Sequence, residues 1–184
     1  MNVYIVGAHR TGKSTLAKEI AARKGMEYFP VNLKDCPVWN DYDYSNLESI
    51  SFKTRIAIQQ ALLDYYIKQV EGKDNCVFDR SVIDIYTYSL TLQPQTLEDI
   101  EIVEKHEQSL IYHLNIEQRD KIILVQPGIE IKETNSVFYS EYKQYQLNYI
   151  FIGILNTYFI QKKFHYLESI DITTRINECL RFLN

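Results

Sequence analysis

Apolar positions along the chain come in two alternating rhythms: short unbroken runs, and longer stretches with helical spacing. Residues 3–6 (Val-Tyr-Ile-Val), 76–78 (Cys-Val-Phe) and 121–125 (Lys-Ile-Ile-Leu-Val) are apolar without a polar alternation, as strands covered on both faces are. Residues 27–31 (Glu-Tyr-Phe-Pro-Val) read as a weaker strand because Pro30 has no N–H to give, and residues 164–167 (Phe-His-Tyr-Leu) read as the last. Between these runs lies helical spacing. Leu16, Ala17, Ile20 and Ala21 share one face of a helix over 13–24, which Gly25 stops in the C′ position. Ile50, Ile56, Ile58, Leu62, Leu63, Tyr66 and Ile67 predict a long helix over 47–70. Further helices are predicted over 82–92, closed by Gln93-Pro94, and over 97–116 with Thr96 as N-cap. Two more follow, over 138–160 and over 173–182, the last capped near Asp171 or Thr173.

Strands alternating with helices predict an α/β fold: one domain over 1–184, with a five-stranded parallel sheet, right-handed crossovers and helices on both faces. The longest irregular stretch, 32–46, holds the only tryptophan, Trp39, and three aspartates. Long loops in compact domains usually serve function or are disordered.

Composition narrows this only slightly. The chain has 184 residues, 46% hydrophobic and 24% charged, enough for one α/β domain with a core of its own. A formal net charge of −4 argues against broad nucleic-acid binding through a basic surface. Cys36, Cys76 and Cys179 are odd in number and lack zinc-type spacing, which suits a reducing compartment. No run approaches the ~20 apolar residues a membrane span needs, and no secretory pattern opens the chain, so the expectation is a cytoplasmic, soluble protein with no membrane partner. Homodimer formation stays open.

The first strand leads directly into Gly7-Ala8-His9-Arg10-Thr11-Gly12-Lys13-Ser14-Thr15 and then a helix. Gly-x-x-x-x-Gly-Lys-Ser between strand and helix is the Walker A pattern. Gly7 and Gly12 permit backbone conformations that turn successive N–H groups inward on an anion, and the helix dipole points at the same place. Lys13 would bridge the β- and γ-phosphates, Ser14 would ligate Mg²⁺, and the Thr15 hydroxyl is placed for the α-phosphate. The pattern implies ATP and Mg²⁺ as cofactors.

A partner acid should stand at the end of a neighbouring strand, where open α/β sheets place ligands; Asp79 fits, as a second metal ligand or catalytic acid. Arg80 follows it where a hydrolysing machine would normally carry a second acid, and a guanidinium suits a bidentate grip on a phosphate or hydroxyl. No Asn-Lys-x-Asp guanine-reading stretch is present. Together, Val-Gly-Ala-His-Arg-Thr-Gly-Lys-Ser-Thr and Phe-Asp-Arg-Ser-Val-Ile-Asp-Ile-Tyr-Thr-Tyr resemble the P-loop nucleoside and nucleotide kinases. Thymidylate kinases carry Asp-Arg at this place and deoxynucleoside kinases Glu-Arg-Ser. The segment looks similar to small kinases and ATPases related to the nicotinamide-riboside kinase domain, including phage-borne versions. The resemblance implies a three-layer P-loop NTPase fold with strand order 2-3-1-4-5. It also implies that Arg80 contacts the acceptor and that Asp79 assists the metal or the attacking oxygen.

The acceptor side is expected in 32–70 and a helical lid at about 128–150. Asp84, four residues past Arg80, is placed to position Arg80, to reach the acceptor, or to sit in solvent. Arg55 and Gln59 share a helical face, where one suits a phosphate and the other a base edge; two exposed polar residues on an amphipathic helix is the alternative. Asp35, just past the second strand, is a candidate base. Such kinases usually carry lid arginines, yet 130–149 contains none; Lys132 and Lys143 are its cations, and Arg10 is a further candidate. Tyr139, Tyr142, Tyr145 and Tyr149 form a tyrosine face there. The function implied is phosphoryl transfer to a nucleoside or nucleoside monophosphate, with a weak lean to the monophosphate. The alternatives are a nucleotide-binding ATPase or switch without a small acceptor, and a kinase acting on another metabolite or on a base within DNA.

Overall fold

The computed structural model describes residues 1–42, 50–114, 119–128, 140–160 and 163–184. The apolar runs become β1 (Val3–Val6), β2 (Glu27–Pro30), β3 (Cys76–Asp79), β4 (Lys121–Val125) and β5 (Phe164–Leu167). They form one parallel sheet in the order β2-β3-β1-β4-β5, as the resemblance implied. Strand alternation then sorts the core in two. Val3, Ile5, Val77, Ile123 and Val125 face α1 (Lys13–Lys24) and α6 (Ile172–Phe182). Val6, Cys76, Phe78, Ile122 and Leu124 face the opposite layer of α2 (Phe52–Val70), α3 (Val82–Ser89) and α5 (Glu141–Tyr158). Outside these, α4 (Leu97–His113) packs on α2 and α3. The register pairs Ile5 with Asp79 and Val6 with Leu124, so β1 and β3 end side by side.

Most helices begin where a side chain accepts an orphan N–H, and this corrects several predicted boundaries. The long helix begins at Phe52 rather than 47, because Ser51 Oγ accepts from Thr54 N at 3.2 Å; Ile50 is not helical, and 47–49 lie outside the described residues. Likewise Ser140 Oγ accepts from Lys143 N, starting α5 at Glu141 rather than 138; residues 138–139 lie outside the described residues. This helix ends at Tyr158. Helix α3 stops at Ser89 rather than 92: Thr91 Oγ1 donates to Tyr88 O, and Thr91 N and Leu92 N bond three residues back instead of four. Helix α4 ends at His113, with 115–118 outside the described residues. Asp171, and not Thr173, caps α6. Within 32–46, two 3₁₀ turns, Leu33–Asp35 and Pro37–Asn40, replace part of the irregular segment, and Trp39 Nε1 ties them together by donating to Leu33 O at 2.8 Å. Among the described residues no helix is long and apolar enough to cross a membrane.

Candidate functional site

The loop between β1 and α1 has the shape that its glycines permit. Gly7 takes φ +144°, and a Cβ there would meet the Val125 carbonyl oxygen at 2.5 Å, so only glycine lets β1 and β4 meet beneath the loop. Gly12 caps α1 in a left-handed conformation with no side-chain acceptor, and α1 has no acid in its first turn. Its N-terminal N–H groups are therefore left for an anion. Thr11 Oγ1 and Lys13 Nζ both donate to Ala8 O, at 3.0 and 2.6 Å, which folds the lysine back inside the loop. Ser14 and Thr15 are exposed on the first turn of α1.

Beside this loop β3 delivers the second group. Asp79 is buried; its Oδ2 lies 3.5 Å from the Tyr28 hydroxyl, and its Oδ1 is buried without a hydrogen-bond partner. Arg80 turns the chain at φ +98°, a conformation strained for any side chain, while its N–H donates to Ile5 O at 3.0 Å. Ser81 then caps α3 in a capping box: its hydroxyl accepts from Ile83 N, and Asp84 accepts from Ser81 N at 2.8 Å. Arg80 therefore precedes the helix and does not share a helical face with Asp84. The solvent alternative for Asp84 also fails, because it is buried at 2% exposure.

The charged groups of the loop and of this turn act on one another. Burial pushes the Lys13 pKa down to about 8, with Arg80 lowering it further and Asp84 and Asp79 opposing. Burial raises the Asp84 carboxyl to about 6, against the pull of Lys13 and Arg80. His9 falls to about 3 through burial and the cations Lys13, Arg80, Lys34 and Arg10. Lys34, on the first 3₁₀ turn after β2, has no sequence signal to single it out.

Three ties to the loop were also invisible in the sequence. The Tyr88 hydroxyl and His9 Nε2 are 2.6 Å apart, Gln144 Nε2 donates to His9 O, and Arg175 Nη1 donates to Thr11 O at 2.6 Å. Each joins the loop to a different helix, α3, α5 and α6. Residues i and i+4 on α5, Gln144 and Asn148, are both buried polar groups, a hint that sequence spacing alone does not separate from surface polarity.

The remaining predicted residues are more dispersed. Asp35 is exposed on its 3₁₀ turn. Arg55 is half-buried with its guanidinium 5.8 Å from the Phe52 ring centre and its Nε without a partner; Gln59 lies one turn on, also half-buried. Phe52 and Tyr66 belong to the core. Lys143, in the first turn of α5, donates to Gln146 at 2.9 Å. Lys132 and Tyr139 lie outside the described residues; Tyr142, Tyr145 and Tyr149 are exposed. His106 is held between Ser89 and Gln60, and among the described residues no group of three His, Cys, Asp or Glu side chains is arranged to hold a metal by itself.

A family model described as "AAA domain" matches residues 2–161. The chain belongs to the AAA domain family. Comparison with curated proteins gives no match. Among solved structures, deoxyadenosine kinase from M. mycoides with bound dCTP is similar to this AAA domain protein at 20% identity and a TM-score of 0.70, over 100% of this chain and 99% of that one. NadR in complex with NR is similar at 16% identity and a TM-score of 0.70, over 99% of this chain but 50% of NadR. YorR from Bacillus subtilis, in complex with phosphorylated GDP, is more distant, at 10% identity and a TM-score of 0.51 over 100% of this chain and 95% of that one. At these identities the likeness is one of fold alone: a five-stranded parallel sheet in the order β2-β3-β1-β4-β5 with helices on both faces.

Proposed function

We propose that the chain is an ATP- and Mg²⁺-dependent phosphotransferase acting on a nucleoside or nucleoside monophosphate. We read it as one domain over 1–184, with its acceptor side at about 32–70 and its lid at about 128–150. The observation that carries this reading is the charge cluster of Lys13, Asp79, Arg80 and Asp84 at the adjoining ends of β1 and β3. Arg80 stands where a water-activating acid would serve hydrolysis, and a guanidinium there suits gripping an acceptor.

The residues fit the cofactors. Asp79 Oδ1, buried without a partner, and the open Ser14 hydroxyl suit a hard cation that keeps most of its shell as water and phosphate oxygen. When bound, Mg²⁺ offsets charge on the transferring phosphoryl group. The N–H groups of 8–15 hold the phosphates, and Lys13 exchanges the Ala8 carbonyl for phosphate oxygens. Arg80 orients the acceptor, and Asp79 or Asp84 takes its hydroxyl proton. Two buried carboxylates, Asp79 and Asp84, beside Arg80 favour a nucleoside hydroxyl over a monophosphate. The fold likeness to deoxyadenosine kinase supports the same choice. ATP hydrolysis without an acceptor is the second reading, favoured by the family description and by the arginine-free stretch 130–149.

Arg80→Ala tests the assignment. The expected result is a fall of about a hundredfold or more in acceptor kcat/KM with ATP affinity unchanged. Wild-type protein that releases ADP equally with and without any nucleoside supports the second reading instead.

A further inference from the structure

Arg175 lies in α6, beyond the residues 2–161 that the family model matches. It is 1% exposed and among the largest fully buried side chains. Its Nη1 donates to the Thr11 carbonyl and its Nε to the Ser169 carbonyl, while Nη2 is buried without a partner. The nearby acids are engaged elsewhere. Glu178 accepts from the Ser169 hydroxyl and stands 3.8 Å from His165, and Asp171 accepts from Thr174. Among the described residues no carboxylate pairs with Arg175.

A buried guanidinium whose hydrogen bonds among the described residues go to carbonyl oxygens is costly: burial lowers its pKa, and Cys179 and Glu178 offset that only in part. Its position behind the phosphate loop suggests why the fold retains it. Thr11 immediately precedes Gly12 and Lys13, so the hydrogen bond fixes the carbonyl side of the peptides whose other side faces the anion site. Attraction across a dry interior is also screened little by salt.

We propose that Arg175 is a positioning residue for the phosphate loop: it clamps the Thr11 and Ser169 carbonyls together and supplies a buried positive charge whose counter-ion is the polyphosphate. This rests on the reading that the loop holds ATP. The loop is then tuned by a helix distant from it in sequence, and nucleotide affinity depends on phosphate number through a residue that touches no phosphate.

Calorimetric titration with AMP, ADP and ATP, each with Mg²⁺, tests this in wild type, Arg175→Lys and Arg175→Gln, with thermal melts run first. Wild-type protein that binds none of the three overturns the ATP reading itself. If wild type binds ATP, Arg175→Gln should lose about tenfold in ATP affinity, less in ADP and least in AMP, and Arg175→Lys should recover part of the ATP loss. A folded Arg175→Gln variant with wild-type ATP affinity, or with equal losses for all three nucleotides, overturns the proposal while leaving the ATP reading intact. If Arg175→Gln does not fold, Arg175→Lys decides: a graded loss, largest for ATP, supports the clamp, and wild-type binding of all three refutes it.

Discussion

Single residues at this site carry conformations and charges that an isolated peptide would avoid. Arg80 holds φ +98°, Arg10 holds φ +58°, and His9 is kept neutral among four cations. Walker A is legible residue by residue because each glycine answers a backbone need, as the approach of Val125 O to Gly7 demonstrates. Gln144 and Arg175 are not legible, because each bonds a loop carbonyl from far along the chain through ordinary polar chemistry. His9 yields a pH prediction. Its folded pKa, about 3, lies below its ordinary 6.5, so between those values the unfolded chain binds the proton first and acidification destabilises the fold. Asp84, raised to about 6, acts oppositely between about 6 and 3.8, where the folded state holds more proton. The two slopes offset each other in the wild type. His9→Gln removes only the first, so its stability relative to wild type should rise as pH falls from 6.5 to 4, by up to about 1.4 kcal/mol per pH unit. Urea melts at several pH values check this; parallel curves would contradict it.

The interiors of the elements are more legible in the sequence than their ends. Buried strands declare themselves as unbroken apolar runs, whereas a helix start depends on which hydroxyl captures an N–H, as Ser51 and Ser140 do. The side-by-side pairing of β1 and β3 followed from the strand order that the resemblance implied, but the capping box that buries Asp84 did not, because Ser-x-x-Asp is short and common. That box makes α3 part of the site. Ser81→Ala should cost about 1 kcal/mol of stability, or roughly 2–4 °C in Tm. Thr96→Ala removes the same device from α4 at similar cost. Thermal melts and turnover together separate the two variants: activity should fall with Ser81→Ala alone, and equal activity losses would detach the α3 cap from the chemistry.

For the whole molecule, strand order and helix layers bring the phosphate loop and the Asp79–Arg80 turn to one edge of the sheet, between two halves of the core. That edge is shared by kinases and hydrolases alike, and the chain's relatives by fold include deoxyadenosine kinase. On the proposed reading, Arg80 at the acceptor separates the two. The direct measurement follows the γ-phosphoryl group itself: incubate the protein with Mg²⁺, γ-labelled ATP and a panel of nucleosides and monophosphates, then separate the products. Label on a nucleoside, or on a monophosphate if the second acceptor class holds, is the predicted result. Label found only in inorganic phosphate, whatever acceptor is added, would contradict the account.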